Sequence, residues 1–249
     1  TGVQTCALPI YQIVLSGTLK PGRFALPGDV SSQFITGLLY ALPLLEEDSE
    51  IVLTTALESR GYVDMTLEAL EQFGVEVSAT KQGWWVSSGQ RYRSADVTVE
   101  GDYSQAANFI LAASLGNPLK VEGLSPRSAQ GDRIICQYAK RLDRPGEVTL
   151  DVSQCPDLVP ALAVRAALRE GQVTKIVGAA RLRLKESDRL DAVTTELNRI
   201  GGQVEQAADA LTIYGVKQFH SGSCDSHQDH RIVMMLAVAA TCAGGIIVV

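Results

Sequence analysis

The chain has 249 residues, 46% hydrophobic and 20% charged, with a formal net charge of −6. That length buries a real core in one large domain or two smaller ones. The acidic balance argues against a general nucleic-acid partner, which needs a basic face, so an anionic ligand must be held by local cations.

The opening TGVQTCA has no clear pattern and lacks an initiator Met, and no secretory or transit signature is expected there. Short strands are predicted over residues 10–15 and 23–26, joined by Gly17 and Pro21-Gly22. In PGDVSSQF, Pro27-Gly28 turns, Ser31 or Ser32 caps, and an apolar helix follows over 34–45. Two hydroxyls and an amide (Ser31, Ser32, Gln33) at a helix entrance make an oxyanion cradle, although serines cap many helices for structural reasons alone.

A strand is predicted over 51–55, and SRGYVDMTLEALEQFGVEV reads as turn, helix, glycine stop and strand. Further strands are predicted over 84–87 and 97–100. Asp29, Asp102, Asp157 and Asp229 each stand just before a helix rich in Ala, Leu and Val. A second family of helices is amphipathic and ends in glycine then strand. Between its two members Asp64/Asp191, Leu70/Leu197, Gly74/Gly201 and Val77/Val204 match at one constant offset. The pattern predicts an α/β fold with a repeated βα unit, one helix buried and the other half-exposed. A boundary near 99–102 divides the chain into 1–100 and 101–249, and a cleft between two such bodies is where a ligand site is expected.

Charge is concentrated in RLRLKESDRL. As an extended strand this segment would project Arg181, Arg183 and Lys185 from one face, just before an amphipathic helix, which is a natural anion site. Glu186 is then either a salt-bridge partner or an acid/base group beside a bound anion. Cys155-Pro156-Asp157 sets a carboxylate at a helix entrance, and the plainer reading of Asp157 is an N-cap. HSGSCDSHQDHR carries all three histidines, but the spacing fits no zinc pattern, so no metal is expected. Asp229-His230-Arg231 instead reads as another anion-binding corner, Arg231 offering a two-donor fork. Cys6, Cys136, Cys155, Cys224 and Cys242 are odd in number and scattered, so reduced thiols and a cytoplasmic protein are expected. The uncharged run 232–249 is long enough to span a membrane, but Gly244-Gly245 divides it into a buried helix and a buried strand.

With these segments in view, the chain resembles the 3-phosphoshikimate 1-carboxyvinyltransferase (EPSP synthase) family. GDVSSQFITGLLYALPL, SRGYVDMTLEALEQFGVEV, VEGDYSQAANFILAA, SAQGD, CPDLVPALA, RLRLKESDRL and HQDHRIVMMLAVAA look like family blocks in the family's order, from about Leu8 to the last residue. The resemblance implies βαββαβ units forming two globular lobes, incomplete here. It also implies transfer of the enolpyruvyl group of phosphoenolpyruvate to the 5-hydroxyl of shikimate 3-phosphate, with no cofactor. Ser31, Ser32, Gln33, Ser59, Tyr62 and Lys185 would hold shikimate 3-phosphate, and Arg189, Arg231 and Gln33 phosphoenolpyruvate. Asp157 would accept the hydroxyl proton, and Glu186 would exchange protons at the methylene carbon, with His230 assisting. A monomer is expected at full length.

Gly61 stands where the family often has proline, and Arg181 where some members have a substrate-touching asparagine. A long N-terminal part with a Lys-Ser pair, phosphate-binding arginines and an Asn-x-Gly segment has no counterpart here, nor does a C-terminal lysine. The expectation is therefore a fragment with little turnover alone. The alternatives are the sister transferase acting on UDP-N-acetylglucosamine, an RNA 3′-phosphate cyclase of related architecture, and a non-catalytic fragment. The Ser-Ser-Gln and Lys-Glu-Ser-Asp-Arg motifs favour the shikimate enzyme over the sister, and the acidic balance disfavours the cyclase.

Overall fold

The structure, a computed structural model, describes residues 16–249. The strand expected over 10–15 and the thiol of Cys6 lie outside the described residues.

Two four-stranded sheets share one topology. In the first unit, β1 (Arg23–Leu26), α1 (Ser32–Ala41), β2 (Ser49–Leu53), α2 (Arg60–Gln72), β3 (Val77–Thr80) and β4 (Gly83–Val86) give the order β1-β2-β4-β3. In the second, β5 (Val148–Asp151), α5 (Val159–Ala167), β6 (Val173–Val177), α6 (Arg189–Arg199), β7 (Gln203–Gln206) and β8 (Leu211–Tyr214) give β5-β6-β8-β7. In both, the first two strands are parallel and the rest antiparallel, with Arg23 opposite Glu50 and Val148 opposite Thr174. The unit reads βαβαββ from β1. Entered at β2, and continued through α3 (Tyr103–Ser114) and α4 (Ile135–Leu142) to β5, it reads βαββααβ, the expected βαββαβ with a second helix in its last crossover. A further pair, β9 (Gly222–Cys224) and β10 (Ile246–Val248), is parallel and joined through α7 (His230–Ala240).

The repeat is set by the chemistry of the helix ends. Gly74 and Gly201 have φ of +77° and +91° and follow α2 and α6. There Val75 N–H reaches back to Leu70 and Gly202 N–H to Leu197, at 2.9 and 2.8 Å. These are matching left-handed helix stops that a side chain with a Cβ would strain.

Burial follows the patterns unevenly. In α5 every residue but Arg165 is buried, as a helix apolar on all sides requires. In α6 the stripe Leu190, Val193 and Leu197 faces inward at helical spacing. By contrast α1 buries only Ser32, Ile35 and Leu39 and leaves Phe34 and Tyr40 exposed, so the buried-helix expectation holds for the second unit and not the first. The apolar cores are separate: one joins α1, α2, β2 and β4, the other joins α3–α7 with β5–β9.

Three strand expectations are corrected, one of them the buried strand after Gly244-Gly245: β10 forms there, but Ile247 and Val248 are exposed. Residues 97–100 form no strand. Residues 180–184 form a tight 3-10 turn rather than an extended strand, so Arg183 parts from Arg181 and Lys185, which line one cavity. Only Leu182 anchors this segment in the core, while Leu184 is 78% exposed. The turn lets each cation find its own acceptors: Arg183 takes Asp188, Gln206 and the carbonyls of Ala207 and Ala208. No helix among the described residues is long and apolar enough to cross a membrane.

Candidate active site

The helix entrances place most of the candidate groups. Ser31 caps α1, its hydroxyl accepting from Gln33 N–H, which leaves Ser31, Ser32 and Gln33 along one rim. Asp102 caps α3, and Asp229 caps α7 by accepting from Arg231 N–H at 2.8 Å. Asp29 does not cap; its carboxylate takes the Thr55 hydroxyl at 2.7 Å. Nor does Asp157 cap. It sits on the short turn Pro156–Leu158 before α5, and its carboxylate points at cations instead of helix amides.

Arg189 is the hub. Its side chain is 2% exposed, and it donates to three carboxylates: Asp229 (2.7 and 3.2 Å), Asp157 (2.9 Å) and Glu186 (2.6 Å). Asp229 is fully buried and also accepts the Ser187 hydroxyl at 2.9 Å. Asp157 in turn faces Lys185 at 3.4 Å and Arg231 at 3.5 Å. Arg231 spends its other donors on Ser104, at the carbonyl and the hydroxyl, and leaves its buried Nε without a partner. Charged hydrogen bonds of this kind justify burying so many ionised groups together.

The electrostatics follow. Burial alone would push the Asp157 carboxyl up, but Lys185, Arg231 and Arg189 together hold it below the usual carboxylate range. Asp229 is likewise held low, the Arg189 bonds outweighing its burial. Both are ionised at neutral pH.

A cavity of about 370 Å³ opens beside this network, and Ser31, Ser32, Gln33, Ser59, Tyr62, Asp157 and Lys185 all line it. Glu186, 51% exposed, lines the adjoining recess with Ser31, Gln33 and Lys185. Arg189 and Arg231 stand behind Asp157, engaged by carboxylates. His230 is exposed and 3.9 Å from Asp229. A larger open groove along α2, about 820 Å³, carries Asp64, Glu68, Glu71 and Glu76, which is unsuited to an anion. Among the described residues no group of His, Cys, Asp and Glu is placed to hold a metal ion.

Sequence reasoning assigned no role to Asp132 of SAQGD. It is buried, one carboxylate oxygen takes the Tyr62 hydroxyl at 2.8 Å, and the other has no partner. Burial pushes its carboxyl up to about 6 and raises the Tyr62 phenol too. Asp229 is expected at a helix entrance and in the corner with His230 and Arg231, and neither placement pairs it with Arg189. A carboxylate directly after glycine and before a helix was the available signal for Asp132, but nothing local points to Tyr62.

The EPSP synthase (3-phosphoshikimate 1-carboxyvinyltransferase) family model matches residues 7–149 and 140–249. Curated proteins named 3-phosphoshikimate 1-carboxyvinyltransferase from Clostridium perfringens and Clostridium kluyveri are each 44% identical, over 91% and 92% of this chain. The chain spans 57% of their length. The solved EPSP synthase of Acinetobacter baumannii shares the fold, with a TM-score of 0.73 at 24% identity over 91% of this chain and 57% of that one. This chain belongs to the EPSP synthase (3-phosphoshikimate 1-carboxyvinyltransferase) family.

Proposed function

We propose that this chain forms one face of an enolpyruvyl transferase site that moves the 1-carboxyvinyl group of phosphoenolpyruvate onto the 5-hydroxyl of shikimate 3-phosphate and releases phosphate. The observation that carries this reading is Asp157, ionised among Lys185, Arg189 and Arg231, on the wall of a cavity rimmed by Ser31, Ser32, Gln33, Ser59 and Tyr62. Hydroxyls and a lysine suit a phosphate ester, while a carboxylate beside them suits proton transfer.

In this reading the phosphate of shikimate 3-phosphate lies against Ser31, Ser32, Ser59 and Lys185, with Gln33 and Tyr62 along the ring. Arg189 and Arg231 turn toward phosphoenolpyruvate. Proton delivery from Glu186, with His230 assisting, makes the enol carbon electrophilic. The 5-hydroxyl adds to that carbon as Asp157 takes its proton. Glu186 then takes a proton back from the methyl group so formed as phosphate leaves, which restores the vinyl group, and the proton held by Asp157 departs with phosphate, so atoms and charge balance. Once incoming anions draw on Lys185 and Arg231, their hold on Asp157 weakens and it becomes a better base. Fixed cations neutralise the phosphates throughout.

The divisions 1–100 and 101–249 then belong to two lobes facing across this cavity, in a cytoplasmic protein that is monomeric at full length. With 57% of the relatives' length, the chain is expected to bind substrate with little turnover of its own. The test is calorimetric titration with shikimate 3-phosphate and, separately, UDP-N-acetylglucosamine, together with release of inorganic phosphate from phosphoenolpyruvate. Saturable binding of the first ligand alone supports the reading. Binding of the UDP-sugar alone favours the sister activity, and normal turnover refutes the expectation of a half-site.

A further inference from the structure

Arg181 is not among the groups assigned above, yet it crosses from the second unit to the first. Its side chain is 14% exposed and pairs with Glu58. It also donates to Ser59 Oγ at 2.9 Å and to the Ser153 carbonyl at 2.7 Å. Ser59 is buried, immediately precedes α2, and stands at φ 53°, ψ 42°. That is left-handed backbone, which serine keeps only where its surroundings hold it. Its hydroxyl does not cap α2. The neighbouring Gln154 takes Arg60 N–H at 3.0 Å, so the second unit grips this corner at two points.

A hydroxyl has one proton to donate. With the Ser59 oxygen accepting from Arg181, that proton is left to point into the cavity lined by Ser31, Ser32, Arg181 and Lys185. We infer that Arg181 is a positioning residue: it latches the Glu58–Ser59 corner onto the second unit and orients the Ser59 hydroxyl to donate to a ligand's phosphate. The ligand half of this inference rests on the transferase reading; the latch half does not.

The test compares the unmodified chain with Arg181→Met, Arg181→Lys, Ser59→Ala and the Arg181→Met/Ser59→Ala double variant. Amide exchange at Arg60 and Tyr62, bonded to Gln154 and to the Ser59 carbonyl, should accelerate about tenfold or more in Arg181→Met, with α4 and α5 unchanged. Arg181→Lys should restore little, because a lysine cannot fork between Glu58 and Ser59. Shikimate 3-phosphate affinity should fall about tenfold in either single variant and no further in the double one, the loss expected for one charge-supported hydrogen bond. The affinity of shikimate, which lacks the phosphate, should be unaffected. Unchanged exchange in Arg181→Met overturns the latch, and losses that multiply in the double variant overturn the orientation of Ser59. If the unmodified chain binds no shikimate 3-phosphate, the transferase reading fails along with the ligand half, and exchange alone decides the latch.

Discussion

Replacing Arg189 with methionine removes the one cation shared by Asp229, Asp157 and Glu186 while keeping a side chain of similar length. The three pairs are not equal. Glu186 is half-exposed, so its contribution is screened to less than about 1 kcal/mol. Asp229 is fully buried, and breaking a buried pair from one side costs about 3–5 kcal/mol, because the stranded charge has no water. Asp229 keeps the Arg231 amide and the Ser187 hydroxyl, which favours the lower end of that range. The sign with pH can be worked out. In the unmodified chain Asp229 is held low, so its stabilisation is present above its unfolded value and is lost as pH falls through the folded one. Without Arg189, burial dominates and its folded pKa rises above the unfolded value, so the variant loses stability as pH rises through that range. The deficit should therefore be largest near neutral pH and shrink in acid. Urea unfolding at about pH 7 and about pH 4 measures this, and Arg189→Met/Asp229→Asn should recover roughly 1–3 kcal/mol against the sum of the single losses. A deficit below about 1 kcal/mol at neutral pH, or strictly additive losses, would refute the hub.

Asp132→Asn tests the other buried carboxyl. Because its folded pKa is raised from 3.8 to about 6, the native state loses about 3 kcal/mol as pH climbs through that window. The variant should unfold with that slope removed and be more stable near neutral pH; an unchanged slope would contradict the assignment. Gly61→Ala would place a Cβ 2.5 Å from Gly131 N and 3.0 Å from the Ala129 carbonyl, both backbone. Unfolding should show a loss of about 1–3 kcal/mol from this overpacking, and a neutral result would mean the two units part there without cost.

What local chemistry dictates was legible. The Ser31 cap, the helix entrances marked by Asp102 and Asp229, and the Gly74 and Gly201 stops each depend on residues a few positions apart, although Asp29, in the same pattern, caps nothing. The anion-handling character of 185–189 was legible as well, but its shape was not. Alternation of Leu182 and Leu184 reads as a strand only if both are buried, and one is in solvent. Asp157 reads as a cap until Arg189, 32 residues away, and the still more distant Arg231 claim its oxygens. The Tyr62–Asp132 bond spans 70 residues and the Arg181–Ser59 bond 122, and both depend on how the two units meet. Such pairings are decided by packing, which no spacing in the chain encodes.

The most direct measurement is the thermal unfolding of this chain, unmodified and as Lys185→Met, against rising shikimate 3-phosphate. Binding to the native state alone raises the midpoint with the logarithm of ligand concentration. The account predicts such a rise for the unmodified chain and its near loss when Lys185 is gone. No rise at any concentration, or the same rise in both proteins, would contradict a phosphate-binding wall built from Ser31, Ser32, Ser59 and Lys185.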